Sequence, residues 1–227
     1  MNLKFFVLLL ALLIANPGFT ADVNLASDKA KIGYSIGMQV GSQVANGIRQ
    51  EEIDIDVNAL LLAIQDMLTG QPPRLTNEEF TTAMNLYRDL QMQRQSKLAE
   101  ENKVKGEAFL AANKSKPGVK VLPSGVQYKV IKSGSGQSPT ASDSVVAHYR
   151  GTLVDGTEFD SSLRRGQPAT FPVNGVIRGW QEILQKMKVG DKWEVYIPSE
   201  LGYGERGTSG IGPNSALIFE IDLLEVK

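Results

Sequence analysis

The chain has 227 residues, 42% hydrophobic and 22% charged, with a formal net charge of −1 and no cysteine, the balance of an ordinary folded protein of one or two domains. A disulfide scaffold, a catalytic thiol, an iron–sulfur cluster and thiolate zinc are excluded, and with His148 the only histidine a transition-metal centre has nothing to build on. Residues 22–123 carry 12 basic against 13 acidic side chains and residues 124–227 carry 11 against 12, so neither half has the charge excess of a nucleic-acid-binding domain or of an acidic disordered tail.

The first 21 residues read as a signal peptide. Lys4 precedes an apolar run from Phe5 to Ala15, followed by Asn16, Pro17, Gly18 and small residues to Ala21, where cleavage is expected. The run is too short for a membrane span, so the mature chain is expected to be exported and to carry no integral span.

Ser27 caps an expected helix in which Ala30, Gly33, Gly37, Met38, Gly41, Val44 and Ile48 fall on one face. Glycine costs about 1 kcal/mol per helical position relative to alanine, so Gly33, Gly37 and Gly41 at every fourth residue point to close approach by another backbone. A second helix is predicted over about 57–68, stopped by Gly70 and Pro72-Pro73, and Thr76 with Glu79 forms a capping box for a third. No proline or turn cluster follows until Pro117-Gly118, so the third helix has room for about 38 residues and about 57 Å, with Gly106 as its weak point. Its first part is amphipathic through Phe80, Ala83, Met84, Tyr87 and Leu90. Residues 91–118 are nearly polar all round and are expected to stand in solvent as a spacer. The region 22–90 makes a marginal core for one chain, and homodimerisation through these helices would bury it; a monomeric three-helix bundle is the alternative.

After Pro117 the period becomes two. Val126/Tyr128/Val130, Val145/Ala147/Tyr149, Trp193/Val195/Ile197 and Leu217/Phe219/Ile221/Leu223 alternate with polar residues as half-buried antiparallel strands do. Asp155-Gly156 makes a tight hairpin, and one short helix between Gly179 and Gly190 carries Trp180, Ile183, Leu184 and Met187. The expected fold class is α+β: an antiparallel sheet wrapped on one short helix over residues 119–227, preceded by an all-α region with a long helix.

Gly202-Tyr203-Gly204-Glu205-Arg206-Gly207 has the letters of a dinucleotide fingerprint, but Thr208 to Pro213 cannot open the helix that the pyrophosphate needs. His148 neighbours Tyr149 on one strand, so the two side chains point to opposite faces and the histidine reads as structural. No cofactor and no metal is called for. What remains is an aromatic set, Tyr149, Phe159, Phe171, Trp180, Tyr203 and Phe219, with Asp160 as the nearby carboxylate. By itself it reads equally as core or as an apolar binding pocket.

The segments Val145–Leu153, Asp155–Ser162, Val176–Trp180, Met187–Gly190, Pro198–Gly204 and Leu217–Leu224 resemble the FKBP family, the tacrolimus-binding immunophilins. The leader, the helical half and the stretch Glu101–Leu110 are similar to its macrophage infectivity potentiator (Mip) group in Gram-negative bacteria. The resemblance implies a peptidyl-prolyl cis-trans isomerase that acts on X-Pro bonds of exported or surface polypeptides in the periplasm or at the outer membrane, a folding-assistant role and a role in virulence. A dimeric holdase or adhesin-like binding module without turnover is the alternative. It also implies a pocket walled by Tyr149, Phe159, Val176, Ile177, Tyr203 and Phe219, floored by Trp180 and supplied with one carboxylate by Asp160; Asp160, Tyr203, Phe159 and Ile177 would carry catalysis. Proline-containing polypeptides, macrolide inhibitors and a second copy of the chain are the implied partners. Phe159 and Asp160 are consecutive, so both reach one pocket only where the strand ends or bulges. Ala169, where many relatives carry an aromatic, should open one wall, and Thr208 and Ser209 stand where some carry a histidine.

Overall fold

The computed structural model describes residues 23–50 and 54–227; the expected signal peptide lies outside the described residues. The chain divides into two compact units between Arg74 and Leu75.

The first unit contains α1 (Asp28–Gln50) and α2 (Val57–Thr69). Ser27 Oγ accepts from the Ala30 amide at 3.2 Å, the expected cap of α1. Asp56 caps α2 through the amides of Asn58 and Ala59, and Gly70 ends it in the left-handed conformation, φ 71°. Ile32, Tyr34, Ile36 and Met38 are exposed, and among the described residues nothing lies near the positions a Cβ would take at Gly33, Gly37 or Gly41. Asp66 is the one buried residue among those described in this unit. Arg74 holds its carboxylate from Nε at 2.7 Å and Nη2 at 3.1 Å, and these hydrogen bonds draw the Asp66 pKa down.

The second unit opens with α3 (Asn77–Asn113), 37 residues behind the predicted capping box. Glu79 N donates to Thr76 Oγ1 at 3.2 Å while Thr76 N donates to Glu79 Oε2 at 2.8 Å. Seven strands follow: β1 (Val119–Val121), β2 (Gln127–Lys132), β3 (Ser144–Leu153), β4 (Glu158–Ser161), β5 (Ala169–Pro172), β6 (Lys192–Ile197) and β7 (Leu217–Val226), with α4 (Arg178–Leu184) between β5 and β6. Every pairing is antiparallel, in the order β1-β2-β6-β7-β3-β4, and β5 joins the first half of β3. Val145, Ala147 and Tyr149 of β3, Val195 and Ile197 of β6, and Leu217, Phe219, Ile221 and Leu223 of β7 turn inward onto Trp180, Ile183 and Leu184 of α4. This is the predicted sheet on one helix. Gly156, at φ 88°, makes the hairpin between β3 and β4.

The expectation of a spacer standing in solvent over residues 91–118 fails for its second half. Asn113 and Gly106 are buried, and Ala99, Asn102, Phe109 and Leu110 are half-buried along the same face. This stripe meets the sheet domain. Asn113 Nδ2 donates to Gln127 Oε1 at 3.0 Å, Gln127 Nε2 donates to Leu110 O at 2.9 Å, and the Phe109 ring lies 5.9 Å from that of Tyr196. Tyr196 and Ile197 are therefore buried on opposite faces of β6. Gly106 is no weak point: the helix runs through it, and a Cβ there would stand 3.0 Å from the Ala216 Cβ. The stripe escapes a hydrophobicity reading because it is built of small and polar residues that dock by close approach and hydrogen bonds.

Candidate active site

The site begins with a fault in the sheet. Gly151 of β3 pairs with Asp160 while Thr152 pairs with Glu158, so Phe159 is the extra residue of a bulge, and consecutive side chains reach one cavity. Gly151 makes room for it: a Cβ there would lie 2.5 Å from the Phe159 ring and 2.9 Å from that of Phe219.

Trp180, on the first turn of α4, is the centre of the aromatic set. Its ring stands edge-to-face against Tyr149 at 5.4 Å, Phe171 at 5.6 Å and Phe219 at 5.2 Å, and Phe219 meets Phe159 in the same way at 5.5 Å. These rings bound a cavity of about 480 Å³, the size of a small-ligand site. Tyr149, Phe159, Asp160, Val176, Ile177, Trp180, Tyr203 and Phe219, all singled out in the sequence, line it together. Phe171, Gly175, Thr208, Ser209 and Ile211 line it as well. Ala169, the expected open wall, packs on the core and does not line the cavity, whereas Phe171, two residues on, does. His148 points elsewhere and meets Ser162 Oγ at 3.1 Å.

Asp160 is held from three sides. It accepts from the Tyr149 hydroxyl, from the Arg165 guanidinium, and from the Ser161 amide at 2.8 Å. Burial works to raise its pKa, but the two side-chain hydrogen bonds and the Arg165 charge prevail and hold it below the ordinary carboxylate range. Arg165 also donates to Tyr149 Oη at 2.6 Å and lies 5.5 Å from the centre of that ring. Burial and the Asp160 charge push the Tyr203 hydroxyl above its ordinary value.

The backbone supplies a further donor. Gln181 Nε2 donates to Val176 O at 2.7 Å, and because a trans peptide is planar, this fixes the opposite-pointing Ile177 N–H of the same unit. Among the described residues that N–H has no acceptor. Arg165 and Gln181 escaped the sequence reading because each acts through a neighbour from a position that carries no periodic signal. The D-x-x-x-x-R spacing of Asp160 and Arg165 was the one local hint.

A sheet folded on one short helix around an aromatic cavity that holds one carboxylate and a backbone donor has the composition of a prolyl-bond isomerase. The profile of FKBP-type peptidyl-prolyl cis-trans isomerases matches residues 135–224, and that of the domain amino-terminal to such isomerases matches residues 29–130. The chain belongs to the FKBP-type peptidyl-prolyl cis-trans isomerases. It is 48% identical over 213 residues to the outer membrane protein MIP of Legionella longbeachae, covering 92% of this chain and 90% of that one. It is 43% identical to the peptidyl-prolyl cis-trans isomerase Mip of Coxiella burnetii, covering 89% of each. Its structure is similar to the crystal structure of FkpA from Escherichia coli, with a TM-score of 0.66 and 35% identity over 89% of this chain and 98% of that one. The chain is therefore a peptidyl-prolyl isomerase that binds proline-containing polypeptides.

Proposed function

We propose that the X-Pro bond is turned in the aromatic cavity, with Asp160, Tyr203, Phe159 and Ile177 carrying catalysis and Tyr149, Val176, Trp180 and Phe219 holding the proline. The supporting observation is the meeting of a pinned carboxylate, a raised-pKa tyrosine and an untaken backbone N–H around one apolar cavity. Rotating a prolyl amide needs no acid, base or nucleophile; it needs the resonance behind a barrier of about 18–20 kcal/mol to be weakened. An apolar cavity disfavours the charge-separated planar amide more than the twisted one. The Ile177 N–H holds the substrate carbonyl, and the fixed Asp160 carboxylate with the Tyr203 hydroxyl favours the twisted form electrostatically.

Macrolides of the tacrolimus class occupy the same cavity in this reading, since their pipecolyl ring stands in for proline. The test replaces Asp160→Leu and Tyr203→Ala and compares turnover of a short prolyl peptide with binding of an unfolded protein. Turnover is expected to fall by about ten-fold or more in each variant while binding stays within about two-fold. Equal loss of both would favour a holdase, the reading that the exposed apolar residues of α1 also suit.

Two further proposals concern setting. The helices of residues 22–90 join two copies through the face of Gly33, Gly37, Gly41 and Met38, leaving residues 119–227 as the isomerase domain, and two pockets in one assembly engage one unfolded client twice. The apolar leader sends the chain out of the cytoplasm of a Gram-negative bacterium, to the periplasm or the cell surface, consistent with the name of the Legionella relative. No described helix is long and apolar enough to cross a membrane.

A further inference from the structure

One wall of the cavity is furnished by a loop that the sheet does not hold. Between Tyr203 and β7 the chain makes a small hairpin, in which Thr208 and Ile211 exchange two 2.9 Å backbone hydrogen bonds across Ser209 and Gly210. Thr208, Ser209 and Ile211 face the cavity. The returning arm, residues 212–214, belongs to no strand, and α3 takes the place of a neighbouring strand. Asn102 Nδ2 donates to Pro213 O at 2.8 Å, and in return Asn214 Nδ2 donates to Ala99 O at 3.4 Å. Gly212 lies so close that a Cβ there would be 2.9 Å from Asn102 Nδ2. Asn214 bends the arm at φ 53°, the one non-glycine residue with positive φ among those described, and its amide closes the loop onto Gly204 O at 2.9 Å.

We propose that Asn102 is a positioning residue of the isomerase, and that α3 sets substrate preference by fixing, through Pro213, the loop that presents Thr208, Ser209 and Ile211. This rests on the reading of the aromatic cavity as the catalytic site. Asp160 lies on β4 and Ile177 and Trp180 at the start of α4, off the loop, whereas Tyr203 stands at its root. The carboxylate, the backbone donor and the aromatic floor are therefore insulated from α3. The residues flanking the proline, which need a rim beyond the aromatic floor, are not. A carboxamide suits the task because one short side chain fits against Gly212 and still carries an N–H to the Pro213 carbonyl, to which no described backbone amide donates.

The test uses the full chain with Asn102→Leu, which keeps the bulk and removes the donor, and Asn214→Gly, which keeps the left-handed backbone and removes the return bond. Steady-state rates on tetrapeptides that differ in the residue before proline should show KM raised about three- to ten-fold with kcat within about two-fold, and an altered order of preference among the peptides. Amide exchange at Thr208 and Ile211 should quicken about ten-fold while the central strands are unchanged. Unchanged KM, preference and loop exchange in these folded variants would overturn the proposal. If Asn102→Leu does not fold, Asn214→Gly alone decides it. The outcome is separable from the cavity reading: Asp160→Leu with full turnover would dismiss the cavity, whereas parental preference in Asn102→Leu dismisses only the role of the helix.

Discussion

Asp160 is pulled in two directions, and the balance is set by residues it touches. Burial favours its neutral form, while Tyr149 and Arg165 favour the carboxylate and prevail. Because the native pKa is depressed, the stabilisation these contacts provide is fully present above the ordinary carboxylate value of about 3.9 and is lost as pH falls through the native value. Turnover in the parent should therefore show no acid limb from Asp160 at or above pH of about 4. Arg165→Leu removes a donor and a positive charge and leaves the burial in place, so the acid limb of kcat/KM should move upward. Profiles between about pH 3 and 7 check this, and superposable curves for parent and variant would show that Arg165 does not tune the carboxylate. The eight pocket residues were named beforehand through the family resemblance, since the aromatic set by itself read equally as core or as a pocket. Gln181 was not, since its task is to hold the Val176 carbonyl, and nothing in its own neighbourhood in the sequence names that partner.

At the scale of elements, α3 is two helices in one rod. Its start is a local matter, the Thr76 and Glu79 capping box, but its end is decided by what it lies against. Gly106 shows the difference. As a bare helical residue it costs about 1 kcal/mol relative to alanine, yet in place it admits Ala216 to within van der Waals contact of the helix backbone. Gly106→Val should lower the stability of the second unit by about 1–3 kcal/mol, because overpacking at this crossing outweighs the gain in helix propensity. Urea unfolding of the full chain, read through the tryptophans of the sheet domain, measures it. A midpoint equal to or above that of the parent would mean that the α3 contact contributes nothing. The same docking bears on the expected boundary near residue 118: the second half of α3 lies against residues 119–227 through Asn102, Gly106 and Asn113.

For the whole molecule, the open question is assembly. The described face of α1 is exposed and apolar, and among the described residues no atom stands near the Cβ positions of Gly33, Gly37 or Gly41. Gly37→Leu therefore meets no obstacle among the described residues of the chain and improves helix propensity by up to about 1 kcal/mol. If this face joins two copies, the substitution should nonetheless convert a dimer to a monomer at micromolar concentration in a sedimentation experiment. Turnover of a tetrapeptide should stay as it was, while refolding of a proline-containing protein should be accelerated less, because the second engagement within one assembly is lost. A parent chain that sediments as a monomer would sink both the dimer and the avidity argument.

The sequence by itself determined what depends on near neighbours and on period: the caps at Ser27 and Thr76, the stop at Gly70, the alternating strands and the hairpin at Gly156. These follow from hydrogen bonds and side-chain directions within a few residues, which the order of amino acids states outright. Only the tertiary structure decided that Arg165 and Gln181 hold the site in shape, and that α3 docks by a stripe of small and polar residues. The same is true of the hydrogen bonds from Asn102 to Pro213 and from Asn214 to Ala99, each spanning more than a hundred residues. Such contacts depend on where distant backbone carbonyls come to rest, and a donor in the sequence carries no mark of which carbonyl it will find.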